Sequence, residues 1–413
     1  MPLTIRLDDQ RPCYFGNETI RGRALFDSPS AIAIREIRIT FTGRAKAKIQ
    51  KVKGTGAPAA NYRSKCAFFE KEKILLHMNG ETLLPGTYEW PFEFLFPSHV
   101  QSASRWPEKA PYRSDAHHPL PPTFAVEAGD EARKVSCAIE FRIEAQVLKP
   151  QRGFMASRTP LVVEELRLGF IPDVAVSDGD DNEQYSAIYR QSKEQVFNIR
   201  SMLLLPENRG RSLNVQQKLQ GWLSPGHLPR FSYKVSLSYP TRVVQSMPLV
   251  CYLEITPYME DSSVTTTPEI LMQSISITAI SQTAARAAPS IMGAISAEID
   301  DRIELLSKTS LHMPVSGAVD LGRVFGPLVL RHTDVSFSTF NIGRTYRLCV
   351  TGVFECAGKT NELKLADLPF DVVAKVERDE KKGLGVELPV PVEDAPPVYT
   401  PSSMVSMTSG GKA

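Results

Sequence analysis

The chain is short of most features that announce a chemistry. Its six cysteines (Cys13, Cys66, Cys137, Cys251, Cys349 and Cys356) form no CxxC pair, and no histidine stands beside them at zinc-ligand spacing. Buried, reduced thiols are the reading these positions support. No apolar run approaches the roughly 18 residues a spanning helix requires, and the first residues lack the apolar core and cleavage site of a signal peptide. A cytosolic protein is therefore expected. Excess charge is missing too: Lys+Arg 48 against Asp+Glu 46 leaves +2, which argues against a dedicated nucleic-acid binder. There is no Walker loop, no GxSxG elbow and no HExxH. Gly54-Thr-Gly56 runs into Ala-Pro-Ala, so the dinucleotide fingerprint fails. His117-His118 lies in a proline-rich loop without a third ligand, and the acidic run 178–183 lacks the sixth-position glycine of a calcium loop. No catalytic residue, metal or cofactor emerges, and a non-enzymatic protein is expected.

What is present is period-2 alternation. Within residues 32–43, Ile37, Ile39 and Phe41 take one face while Glu36, Arg38, Thr40 and Thr42 take the other. Residues 89–97, 135–148, 231–239, 249–256, 275–280 and 346–354 repeat this grammar between Gly, Pro and Asn turns. Short alternating strands at this density predict an all-β protein of antiparallel sandwiches. Residues 34–46 and 271–286 look like corresponding strands, each an isoleucine run closing on a basic residue, which suggests two sandwiches of similar plan. The expected domains are 1–172 and 205–376, joined by a linker or insertion at 173–204 where Tyr185, Ile188, Val196, Ile199 and Leu203 fall near helical spacing. Ile291, Ile295, Ile299 and Ile303 recur every fourth residue and predict a short amphipathic helix. After residue 376 the pattern stops, and 377–413 reads as a flexible, disordered tail.

Two features point to binding. Residues 44–53 continue a strand with Arg44, Lys46 and Lys48 on one face and Ala45, Ala47 and Ile49 on the other, followed by Arg63, Lys65, Lys71 and Lys73 on the next expected strand. Such a row is a candidate face for phosphate groups or an anionic membrane surface; the competing reading is lysine guarding a sheet edge. Within the tail, Pro396-Pro397-Val398-Tyr399 is a PPxY motif. Adjacent prolines hold polyproline II and dock at low entropic cost, and the tyrosine supplies an amphipathic anchor, the form read by WW domains. Random order at this chain's Pro and Tyr frequencies gives roughly 0.07 such tetrapeptides, so placement in an accessible tail adds to the signal.

Five segments together resemble the arrestin-like family, specifically the fungal alpha-arrestins. Residues 14–22 are similar to the opening "G-[DE]-x-[ILV]-x-G", with Asn17 interposed; residues 37–46 to "I-x-[IV]-x-[FL]-x-G-x-[AE]"; residues 84–94 to "L-x-x-G-x-[YH]-x-[FW]-P-F-x-[FI]". Residues 120–124 resemble "LPPSF", and residues 335–348 resemble the closing strands of a C-terminal arrestin domain. The resemblance implies tandem immunoglobulin-like sandwiches (the arrestin fold) without enzymatic activity. It also implies an adaptor whose PPxY motif, here Pro396, Pro397 and Tyr399 with Val398 variable, recruits WW domains of a HECT-type (NEDD4-like) ubiquitin ligase. The cargo would be cytosolic tails of membrane transporters or receptors, with the adaptor recruited peripherally to plasma membrane or endosomes. Lys381 and Lys382 would be ubiquitin acceptors. The chain has one PPxY motif where many relatives carry several, which lowers avidity.

Overall fold

The computed structural model describes residues 2–51, 60–78, 81–103, 106–129, 133–150, 160–172, 188–208, 225–287, 294–331 and 333–374. One compact unit ends at Val376, and within it the described residues build two β-sandwiches. The first contains β1 (Leu3–Leu7), β2 (Thr19–Ser28), β3 (Ile32–Ala33), β4 (Glu36–Lys51), β5 (Ala60–His77), β6 (Thr82–Leu83), β7 (Gly86–Leu95), β8 (Phe124–Gly129), β9 (Arg133–Leu148) and β10 (Val162–Leu168). Its sheets run β1-β2-β7 and β10-β9-β4-β5, with β8 continuing the edge that β10 makes on β9.

The second sandwich contains β11 (Arg190–Arg200), β12 (Arg230–Pro240), β13 (Arg242–Val244), β14 (Pro248–Leu249), β15 (Tyr252–Tyr258), β16 (Ile270–Ala287), β17 (Ile295–Lys308), β18 (Met313–Pro314) and β19 (Gly317–Asp320). It closes with helix α1 (Leu321–Phe325), β20 (Leu328–Val329), β21 (Phe337–Ser338), β22 (Ile342–Cys356) and β23 (Lys359–Val373). Its principal sheets run β11-β12-β15-β19 and β13-β23-β22-β16-β17. The two long strands matched by sequence take the same place. β4 lies between its hairpin partner β5 and β9, and β16 lies between its hairpin partner β17 and β22.

Two expected helices are strands. Residues 295–308 form β17, because a repeat of four is also two periods of a strand: Ala297 fills the intervening inward position while Ser296, Glu298 and Asp300 stay exposed. Ile291 lies outside the described residues. Residues 190–200 pair with β12 along their whole length, so the second sandwich begins inside the segment read as a 173–204 linker. Phe197 and Ile199, two apart, are both buried there, a strand signal that the wider spacing obscured. Residues 173–187 lie outside the described set, as does the 377–413 tail with Pro396, Pro397, Val398, Tyr399, Lys381 and Lys382.

Each sandwich closes over its own core. Under the first, Phe41, Phe69, Phe96, Phe141 and Phe170 meet at centroid distances of 4.6 to 6.2 Å in edge, tilted and stacked arrangements. Gly43 of β4 sits over two of these rings: a Cβ there would meet Phe69 at 2.5 Å and Phe141 at 2.8 Å. Ala285, Ala287, Phe340 and Ile342 from the second half also pack into this first core, so the two sandwiches share apolar contact. The cysteines are free, with Cys137, Cys251 and Cys356 buried and Cys13, Cys66 and Cys349 partly so. No helix among the described residues is long and apolar enough to cross a membrane.

Candidate functional site: the basic face of the first sandwich

The face outlined by Arg44, Lys46 and Lys48 exists as alternation requires. Ala45, Ala47 and Ile49 are buried beneath it. Edge protection does not account for it, because β4 is bonded on both sides, to β5 and β9. β5, by contrast, is the edge strand, and its basic residues divide between two faces. The register slips between Gly43 and Arg44, where β5 inserts an extra residue and buries both Phe68 and Phe69. Before the bulge, Lys65 stands opposite Lys46 and Arg63 opposite Lys48, on the outer face. Beyond it, Lys71 pairs with Phe41 and Lys73 with Ile39, so their parity is that of the core side. Lys71 Nζ reaches across to donate to the Leu95 carbonyl of the other sheet at 2.8 Å. Sequence alone placed all four on one row; the bulge separates them.

The bulge also hollows the outer face. A concavity of about 180 Å³ opens there, lined by Arg38, Thr42, Arg44, Lys65, Ala67, Phe69, Glu70, Arg142 and neighbouring residues. Its charges are unevenly satisfied. Arg38 bonds Gln146 at 3.0 Å and approaches Glu72 at 3.4 Å. Arg142 pairs with Glu144 at 3.1 Å and also with Glu165. Arg44 and Lys46 share one carboxylate, Glu140, at 3.3 and 2.6 Å. Burial alone would raise the Glu140 carboxyl, but these two cations outweigh it and hold it below the ordinary carboxylate range. Lys65 forms no ion pair among the described residues. Burial first, then the charges of Arg44, Arg142 and Lys46, push its ammonium below the ordinary lysine value. Two donors at the pocket, Thr42 Oγ1 and Arg142 Nε, are buried without a partner.

Arg142 and Glu140 were not legible as site residues. They come from β9, about a hundred residues further along, and only the β4–β9 register, with Arg44 opposite Glu140 and Thr42 opposite Arg142, brings them here. Among the described residues there is no group of three or more His, Cys, Asp or Glu able to hold a metal ion. His118 lies buried between the sandwiches, 5.1 Å from the Phe340 ring in an edge-on contact.

Comparison with known proteins bears on the same half. Residues 3–166 match the family model "Arrestin (or S-antigen), N-terminal domain". The mouse protein "Arrestin domain-containing protein 4" is 33% identical over 107 residues, which cover 24% of this chain and 25% of that relative. The chain therefore spans about a quarter of the length of the curated relative it matches. The glycines shared with the family motifs have physical work in this structure: Gly43 clears the phenylalanine cluster, and a Cβ on Gly22 would meet the Arg6 carbonyl oxygen of β1 at 2.4 Å. The first sandwich, residues 3–166, is thus similar to an arrestin N-terminal domain.

Proposed function

We propose that this protein is a non-enzymatic adaptor. Its sandwiches engage cytosolic segments of membrane-protein cargo, and Pro396-Pro397-Val398-Tyr399 recruits WW domains of a HECT-type, NEDD4-like ubiquitin ligase. The arrangement promotes cargo ubiquitination and endocytosis, with the protein cytoplasmic and recruited to plasma membrane or endosomes. The observation that carries the reading is an N-terminal arrestin domain on the same chain as a PPxY sequence. Mechanistically, the adaptor raises the effective concentration of the ligase near cargo lysines, and Lys381 and Lys382 stand within the same tail as the motif. The test is binding of purified WW domains from a HECT-type ligase to the full-length protein and to Tyr399→Ala. Binding lost in the variant supports the adaptor; binding in neither form reduces the motif to coincidence.

A second reading, a ubiquitin-independent scaffold or an anion-binding module working through the Arg44, Lys46 and Lys48 face, is favoured by one observation. Two like-charged pairs, Lys46–Lys65 and Lys48–Arg63, stand directly opposite on adjacent strands, an arrangement that costs stability. Under this reading, deletion of 377–413 leaves membrane recruitment unchanged.

A further inference from the structure

A second cavity, of about 300 Å³, opens where the two sandwiches meet, and small-molecule clefts favour such junctions. The loop between β7 and β8 brings Arg113, Pro121 and Pro122 to it. Arg242 of β13, Phe337 of β21, Arg344 of β22 and Asp371 of β23 come from the second sandwich. Three guanidiniums thus share the lining with one carboxylate, Asp371. Arg344, which is buried, reaches Asp334 at 3.6 Å, and this is the only ion pair that any of these four charged residues makes among the described residues. Arg242 lies instead over the Tyr189 ring at 5.2 Å. Like charges gathered around one cavity repel one another, and an anion received between them relieves that cost. The remaining walls are apolar and stiff. Pro121 and Pro122 are buried, Pro172 is half-buried beside them in the lining, and Phe337 adds a half-buried ring. Proline rings have little freedom to lose when a ligand packs on them.

We propose that this junction cavity binds a small aromatic carboxylate, a free metabolite-sized acid rather than a segment of a protein chain. Its carboxylate matches the planar, forked donors of Arg113 and Arg242, neither of which has a carboxylate of its own. Its ring packs against the faces of Pro121, Pro122 and Pro172, with Phe337 available for an edge-on contact. Each half of the ligand answers one half of the lining. An inorganic anion satisfies the cations and leaves the apolar walls uncovered, whereas a neutral aryl group covers the walls and leaves the cations unpaired. Size points the same way, because a volume of about 300 Å³ is at the lower limit of small-molecule clefts and holds one ring with its acid. A ligand held there touches both sandwiches, so its binding favours the arrangement in which they meet as they do here.

The inference goes beyond the adaptor reading and depends neither on the tail nor on the outer basic face of the first sandwich. It is tested by isothermal titration calorimetry of the full-length protein with phenylacetate. Phenylacetamide, its neutral isostere, and acetate, its acid without the ring, are titrated alongside. The expected result is a phenylacetate Kd of about 0.1–1 mM, tighter than either comparison compound by about tenfold or more. Arg113→Gln and Arg242→Gln should each weaken phenylacetate by about tenfold, the effect of losing one charge-assisted contact. Arg113 is exposed, so its replacement disturbs no packing. A melting curve for each variant separates misfolding from lost binding, and Arg113→Gln alone suffices if Arg242→Gln does not fold. Equal affinity for phenylacetate and phenylacetamide overturns the proposal, because the cations then play no part. Acetate binding as tightly as phenylacetate overturns it in favour of an adventitious ion only. Undiminished phenylacetate binding by folded Arg113→Gln, or no binding of phenylacetate by the parent protein, overturns it as well. The adaptor reading fails separately: WW-domain binding reads Tyr399 and is expected to persist in Arg113→Gln.

Discussion

The Arg286 guanidinium of the second sandwich lies 4.5 Å from the Tyr112 ring centroid of the first, and Trp106 covers it at 4.8 Å. Its Nε–H donates to the Phe340 carbonyl at 2.6 Å and its Nη1–H to the Pro107 carbonyl at 2.9 Å. Ser64 of β5 donates to the Arg286 carbonyl at 2.9 Å and accepts from Asn341 at 2.8 Å. β4 and β16 thus hold corresponding positions with opposite uses of their closing basic residues. Arg44 and Lys46 turn to the outer face of the first sandwich and pair with Glu140, while Arg286 is buried as a pin between the halves.

Removing that pin is expected to cost stability. Arg286→Ala deletes two hydrogen bonds to carbonyls that no water replaces easily, together with the stacking on two rings, and should lower unfolding free energy by about 2–4 kcal/mol in urea titration. Arg286→Lys should recover little, because an ammonium cannot present the same planar face between Trp106 and Tyr112. A variant as stable as the parent would show that the contact is dispensable.

His118 makes the same junction sensitive to acid. Its Nδ1 lies 2.9 Å from the Asp115 carbonyl oxygen. A carbonyl only accepts, so Nδ1 carries the proton and Nε2, buried without a partner, is the bare nitrogen. Charging the ring would put an unpaired N–H there. Burial lowers the His118 value, Arg113 and His99 add to it, and the Asp115 carbonyl and carboxylate oppose it. With the folded value below the unfolded one, the unfolded chain binds the extra proton. Stability therefore falls as pH drops below about 6.5, the ordinary histidine value, and the loss is complete below the depressed folded value. His118→Phe should flatten that part of a stability-versus-pH curve; an unchanged slope would assign it to other groups.

How much of this was legible depended on the range of the contact. Local alternation placed β4, β7, β9 and β22, and the inward set Ile37, Ile39 and Phe41 is buried as read. Isoleucines four apart at 295, 299 and 303 misled because period 2 and period 3.6 coincide at that spacing. The basic face was visible on β4, but the pocket was not: it depends on a one-residue bulge at Phe68–Phe69 and on Arg142 arriving through a register set 100 residues away. Nor did any local pattern mark Arg286 as buried, since what buries it is a loop of the other sandwich.

Gly43 gives a test of how the core supports the face. Gly43→Ala would place a methyl within 2.5 Å of Phe69 and 2.8 Å of Phe141, rings already locked among three others. Overpacking of this kind costs about 1–3 kcal/mol. The loss is read as a lower urea midpoint for Gly43→Ala. A variant as stable as the parent would show that the rings yield without cost.

Lys65 tests the cost of like charge on the outer face. Opposite Lys46, with Arg44 and Arg142 nearby, its charge is repelled by three cations and attracted by Glu70 alone among the causes of its shift. Lys65→Glu turns a like-charged cross-strand pair into an attractive one. Cross-strand pairs of this kind are worth about 0.2–1 kcal/mol, less in high salt. The variant should therefore be slightly more stable than the parent in low-salt chemical denaturation, and the difference should shrink as salt is added. If Lys65→Glu destabilises the protein instead, the lysine serves the sheet and its repulsion by neighbouring cations is outweighed.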